Sequence, residues 1–446
     1  MAAIPSKLEL AAVAERILEK ALEAGEEAEV FYMESTSTPV HFEANAIKAV
    51  DSNETAGAAL RLIKNGRVGF SSTSNLDDVD GLVKAAVETA PFGAEARFQF
   101  PGPSSYPDVP VHDASVMGVP LERMTQLGQQ VIDALRAYSQ EVQVEGSVSR
   151  SASTISLMNS RGGRYSYDRS GFGLGFEGTV IRGEDMLFTY DGVSSVHPVD
   201  DATEVIESII RQLQWARETA SITTKEMPVI LMPTAVSSVL LSPLLAGFSG
   251  RTVLQGTSPM AGRLGETIVD TRFSLIDDTT LPYVGGSRPA DDEGVASRRL
   301  PIIERGVAAS FLYDLQTAGL AGTESTGSGE RGLGSLPSPS SGVLFVSEGD
   351  ATLSDMIADI SEGLIVERLL GAGQSNILGG DFNANVLLGY KIENGKVVGR
   401  VKDAMVSGNA YESLNNLVAL GSEGRWLGGG LYTPPITLAN VAVSAK

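Results

Sequence analysis

Six of the chain's twenty prolines fall within the thirty residues from Pro91 to Pro120. Each removes a backbone donor and fixes φ, so neither a helix nor a central strand can persist there. The cluster cuts the chain, and the order of patterns before the cut returns after it. On the near side Leu10, Val13, Ile17 and Ala21 recur at helical spacing, and alternating runs from Ala28 to Ser72 read as strands. Val79, Leu82, Val83, Ala86 and Val87 then mark a second helix that closes on Glu-Thr-Ala at 88–90. On the far side Leu121, Met124, Leu127, Val131 and Leu135 mark a helix, strands run from Val142 to Tyr190, and a helix with Val205, Ile209 and Leu213 reaches a second Glu-Thr-Ala at 218–220. The first 220 residues thus read as two copies of one helix, antiparallel sheet, helix unit.

Beyond residue 225 short strands and many glycines take over, with hairpin signals in the segment around Arg305-Gly306 and at Asn394-Gly395; Asn65-Gly66 gives another in the first half. The expected class is α+β: an N-terminal α+β domain over 1–95, a proline-rich linker over 96–119, a central α+β domain over 120–221 and a β-rich C-terminal domain over 222–446. An exposed edge strand of that last domain could accept an extended peptide through backbone hydrogen bonds. The insert from Ser325 to Gly342 has the composition of a mobile surface loop, readable as a lid or contact surface carrying Arg331, or as a plain solvent loop.

The charge balance is −21, from 55 acidic and 34 basic side chains without a basic run, so the surrounding field repels nucleic-acid backbones and anionic membranes. The absence of cysteine excludes disulfides, thiolate ligands and cysteine nucleophiles, and the charges spaced through the N-terminal segment lead one to expect neither a leader nor a membrane span there. A cytoplasmic location is expected.

The candidates for chemistry are few. His41, His112 and His197 lie in unrelated segments without a partner ligand at metal-binding spacing, and read as plain surface or loop histidines. No serine satisfies Gly-x-Ser-x-Gly; Ser249 and Ser328 both miss it. Gly371-Ala-Gly-Gln-Ser-Asn376 places an asparagine where a dinucleotide loop needs its third glycine. Two acidic groups remain, Asp277-Asp278 and Asp291-Asp292-Glu293, which could meet around magnesium or calcium in a carboxylate-dependent hydrolase; Asp291, Asp292 and Glu293 could instead take part with Arg331 in substrate binding. The stronger reading is structural, because aspartates in glycine-rich turns usually accept from nearby backbone N–H groups.

Ordered segments of the second half, including "SPLLAGFSGRTVLQGTSPMAGRLGE", "DDEGVASRRLPIIERGVAASFLYDLQTA", "STGSGER" and "GAGQSNILGGDFNANVLLGYKIENGKVVGRVKD", resemble the TldD/PmbA family, also labelled modulators of DNA gyrase. The resemblance extends over nearly the whole chain. It implies a pair of paralogous subunits forming a cytoplasmic zinc metalloprotease that acts on unfolded peptides. In that family the TldD branch carries the zinc on a His-Glu-x-x-x-His helix segment completed by a late cysteine. Laid over that segment, this chain has Ser242 at the first histidine, Pro243 at the glutamate and Gly247 at the second histidine, and it has no cysteine. The match is therefore to the PmbA, or TldE, branch: no metal and no catalytic residue in this chain, zinc in a TldD-like partner. A homodimeric peptide-binding or scaffold protein stands as the alternative.

Overall fold

The computed structural model describes residues 7–445, with side chains from residue 12 onward, so the inward position expected for Leu10 lies outside the described residues. The first unit runs α1 (Lys7–Ala24), β1 (Glu27–Glu43), β2 (Ala46–Val50), β3 (Asn53–Lys64), β4 (Arg67–Thr73) and α2 (Val79–Thr89). The second runs α3 (Leu121–Tyr138), β5 (Gln143–Asn159), β6 (Arg164–Arg182), β7 (Asp185–Ser195) and α4 (Thr203–Trp215). The two units share one seven-stranded sheet, ordered β4-β3-β1-β5-β6-β7 with β2 paired to β1. Their leading strands β1 and β5 join them, antiparallel from Glu29 opposite Asn159 to Phe42 opposite Gly146.

Strand periodicity then sorts side chains to two faces. On one face Val30, Tyr32, Leu60 and Leu62 pack with Ile17, Ala21, Leu82 and Ala86 of α1 and α2. On the same face Val148, Phe172, Leu174 and Phe176 pack with Leu127, Val131, Val205 and Ile209 of α3 and α4. All four helices cover this face, so the opposite one turns toward the C-terminal half.

The proline-rich stretch is not a free linker. Phe100, Val109 and Val111 are buried, and the segment is tied down through its carbonyls: Asn159 Nδ2 donates to Pro101 O, Tyr283 N to Pro110 O and Ser170 N to Val111 O. Proline lacks a donor but keeps its acceptor, so such a strap suits the composition. The second Glu-Thr-Ala also differs from expectation. Helix α4 stops at Trp215, and Thr219–Ala220 pairs in parallel with Arg400 and Val401, a distant edge that a local pattern does not record.

In the C-terminal half the strands Lys225–Leu231, Ile436–Ala445, Ala404–Asn409, Asp381–Glu393 and Glu362–Leu370 pair successively and the last returns to the first, closing a five-stranded ring. A second, six-stranded sheet ends in Leu431–Thr433 and Arg425–Leu427. The expected turns are present: Asn65-Gly66, Arg305-Gly306 and Asn394-Gly395 all carry positive φ, as tight hairpins require. No helix among the described residues is long and apolar enough to cross a membrane.

Candidate functional site: a glycine and serine cleft beside a helix without ligands

The helix that follows Lys225–Leu231 runs from Pro233 to Phe248 and is interrupted by one π turn over Ser237–Leu241. The interruption accommodates Pro243 within the helix. An unbroken α-helix would drive its ring into the carbonyl four residues back; here Ser242 N–H reaches five residues back to Ser237 O, and the proline becomes the second residue of a fresh turn. Val239, Leu240, Leu244 and Phe248 anchor this helix in the C-terminal core.

None of its three marked positions offers a metal donor. Ser242 Oγ is exposed and donates to Ser237 O over 3.1 Å. Pro243 is buried and has no donor atom. Gly247 is buried, and a Cβ added there would collide with the Tyr411 hydroxyl, so a tyrosine fills the space a longer side chain would need. That hydroxyl has no hydrogen-bond partner, and burial pushes its pKa up to about 12, keeping it neutral. Among the described residues no three His, Cys, Asp or Glu side chains are grouped to hold a metal ion. The zinc that the resemblance implies for a sister branch does not fit the residues present here.

Of the acidic candidates, Asp291, Asp292 and Glu293 gather elsewhere, at a buried ionic hub between the two halves. Arg61 on β3 donates to Glu29 on β1 (3.2 Å) and to Glu293 (2.6 Å), with all three side chains inaccessible or nearly so. Arg331 pairs with Glu29 at 2.8 Å and lies 4.4 Å from the Phe31 ring centre. The strap closes the hub, since Phe98 and Phe100 lie 4.8 and 5.1 Å from the Arg61 guanidinium. Asp291 accepts from the backbone of Glu293, Val295 and Gly329, Asp292 from Arg331 N, and Asp277 from Gly342 and Val343. Asp278 accepts from Thr280. Asp291, Asp292, Glu293 and Arg331 therefore brace backbone and one another, and none lines the cleft described below. The 325–342 segment is correspondingly not a free loop: Ser328 and Arg331 are buried, and Gly329–Glu330 pairs with Ser338–Pro339.

Burial raises the pKa of Asp291 from 3.8 to about 6 and of Glu293 from 4.5 to about 7, against the opposing pull of Arg288 and Arg61 respectively. Between about pH 4 and 7 the folded hub thus holds protons that the unfolded chain has released, and stability must fall as pH rises through that window. Asp113, held to about 2 by Ser115 and His197, titrates below it. The expected result is a melting temperature higher at pH 5 than at pH 7.5, with the slope flattened in Glu293→Gln; scanning calorimetry at constant ionic strength checks it.

The open space lies over the helix-free face of the sheet. A cavity of about 950 Å³ is floored there by rows of small residues: Ser147, Gly175 and Gly192 stand opposite one another across β5, β6 and β7, as do Ser149, Gly173 and Ser194. The run Ser170-Gly-Phe-Gly-Leu-Gly-Phe176 explains the floor, because strand alternation sends Phe172, Leu174 and Phe176 into the helical core and leaves the glycines facing the cavity. Continuing past Ser151 and Arg169, a smaller hollow of about 240 Å³ extends the trough. The facing wall comes from the start of the π-containing helix (Pro233, Ser237), from Glu367 and Arg368, and from the loop carrying Arg425. At the rim, α4 covers the β7 edge: Gln212 exchanges hydrogen bonds with the backbone of Tyr190. Of the histidines only His41 reaches this cavity; His197 pairs with Asp113 at 2.7 Å.

The signature of this trough in the sequence is a two-residue alternation of glycine or serine with large apolar residues, not a cluster of ionisable ones. Residues 28–90 match PmbA/TldA metallopeptidase domain 1, 118–221 the central domain and 224–445 the C-terminal domain. An uncharacterised protein of Methanocaldococcus jannaschii is 26% identical over 424 residues, covering 90% of this chain and 94% of its own. A metalloprotease PmbA homologue of Haemophilus influenzae is 24% identical over 423 residues, covering 91% and 90%. The crystal structure of TldE from Thermococcus kodakarensis superposes with a TM-score of 0.89 at 25% identity, covering 97% of this chain and 100% of that one. Three consecutive domain matches, relatives of the same length and a shared architecture establish that the chain belongs to the PmbA/TldD metallopeptidase family.

Proposed function

We propose that this chain is the non-catalytic, TldE-like subunit of a TldD/TldE-type zinc metalloprotease that processes unfolded peptides, and that it contributes dimer surface and part of the substrate chamber. The zinc and the bond cleavage belong, on this reading, to a TldD-like paralogue. The observation that carries it is a division within one helix. Its first turn lines an open cleft, while Gly247, further along, is blocked by Tyr411 where a ligand would have to stand. The cleft suits an extended chain: a volume of about 950 Å³ is at the upper end of small-molecule sites, and a floor of glycine and serine discriminates little between side chains. The experiment is fluorescence anisotropy of a labelled, unstructured peptide titrated with the purified chain in EDTA. Saturable binding without zinc is expected; no binding, either by the chain alone or in its pair with a TldD-like chain, counts against the reading.

A further inference from the structure

Three arginines line the larger cavity, and two of them are held in two-pronged carboxylate pairs. Arg211 grips Glu367 with both nitrogens at 3.3 and 3.2 Å, and Arg425 grips Asp191 in the same two-pronged way. The third, Arg368, sits where the strand Glu362–Leu370 loses register against Asp381–Glu393 on both sides of it. This bulge lets consecutive residues, Glu367 and Arg368, both line the cavity instead of alternating across the strand. The Arg368 guanidinium lies 5.2 Å from the Tyr190 ring centre, and its Nη1 is 3.6 Å from Glu177 Oε2, too far for a hydrogen bond. Nη1 is buried and has no hydrogen-bond partner, alone in this respect among the described side chains that line the larger cavity; in the smaller hollow Arg169 Nε shares the condition, but that guanidinium already donates to Ser287 O.

The floor supports that placement. A Cβ at Gly175 or Gly192 would stand 2.8 or 3.1 Å from the Tyr190 hydroxyl, so the two glycines give the ring room to lie across the sheet beneath the guanidinium. A dry guanidinium nitrogen without an acceptor is an unmet demand, and its planar fork suits a carboxylate. The surroundings restrict the anion further. Glu177, Glu367 and Asp191 already stand nearby, so a group with a single delocalised charge fits where a dianionic phosphate would meet strong repulsion.

We propose that Arg368 is a carboxylate-recognition point of the cleft, binding the C-terminal carboxylate or an acidic side chain of an extended peptide laid over the glycine and serine floor. The assignment rests on the cleft being a peptide site and adds a chemical preference to it. The test uses three fluorescein-labelled glycine and serine hexapeptides: one with a free C-terminal carboxylate, one amidated, and one amidated with a single internal aspartate. Each is titrated against wild type, Arg368→Gln and Arg368→Lys, all with matching thermal melts. At least one of the two carboxylate peptides should bind wild type about tenfold or more tighter than the plain amide, and which one does so names the source. Arg368→Gln should bring that peptide to the level of the amide while leaving the amide's own affinity in place, and Arg368→Lys should recover only part of the preference. Equal binding of all three by wild type overturns the assignment and leaves the peptide cleft standing. Binding of none overturns both.

Discussion

Replacing Arg61 with leucine should lower the free energy of unfolding by about 3–5 kcal/mol, because it leaves Glu29 and Glu293 buried with a counter-charge removed. Domains of ordinary stability hold only about 5–15 kcal/mol in reserve, so the variant should lie near the edge of folding at 37 °C. Arg97→Ala, which breaks an exposed pair with Glu95, should change stability by less than about 1 kcal/mol. Urea denaturation followed by tryptophan fluorescence compares the two. The contrast isolates desolvation: the Arg61 guanidinium lies near Phe98 and Phe100 on a side chain only 3% exposed, whereas the Arg97 side chain is 52% exposed. A loss no larger than the Arg97 control would mean that the hub does not join the two halves. Because the same residues tie β1 and β3 to the Asp291–Glu293 turn and the proline strap, that loss should appear as one cooperative transition involving both halves.

Ser149→Trp should weaken peptide binding in the cleft about tenfold or more while leaving the fold intact. Ser149 stands on the cavity face of β5, opposite Gly173 and in the same row as Ser194, and it borders both the larger and the smaller hollow. An indole there projects into the trough where its two hollows meet, into open space instead of core. A loss of affinity of at least about tenfold, or 1.4 kcal/mol, with an unchanged melting temperature is expected in the anisotropy titration. Unaltered affinity would place peptide capture elsewhere on the surface.

Much of this architecture is legible in local pattern. Ile17 and Ala21, Val79 and Leu82, and Leu127 and Val131 are buried as their spacing predicts, and each asparagine-glycine turn sits between the strands it was expected to join. The strand alternation also predicts faces, but it cannot predict that β1 and β5 pair with each other, since the two units carry no complementary mark on those strands. The same limitation accounts for the misread segments. Composition alone makes Ser325 to Gly342 a solvent loop, yet Gly329 N meets Asp291 and Arg331 meets Glu29, partners hundreds of residues away for the latter. Phe98, Phe100 and Tyr106 were the available signal that the proline-rich stretch packs. Ser242, Pro243 and Gly247 were legible as positions without donors, whereas Tyr411 filling the space beside Gly247 required the fold.

On the proposed reading this chain captures peptide but does not cut it. The most direct measurement is hydrolysis of an unfolded peptide by the purified chain supplied with zinc, run beside the same chain paired with a TldD-like metallopeptidase subunit. The prediction is no turnover and no stoichiometric zinc retained by the chain alone, with turnover in the pair that Ser149→Trp reduces. One tightly held zinc per chain together with turnover by the chain alone would contradict it.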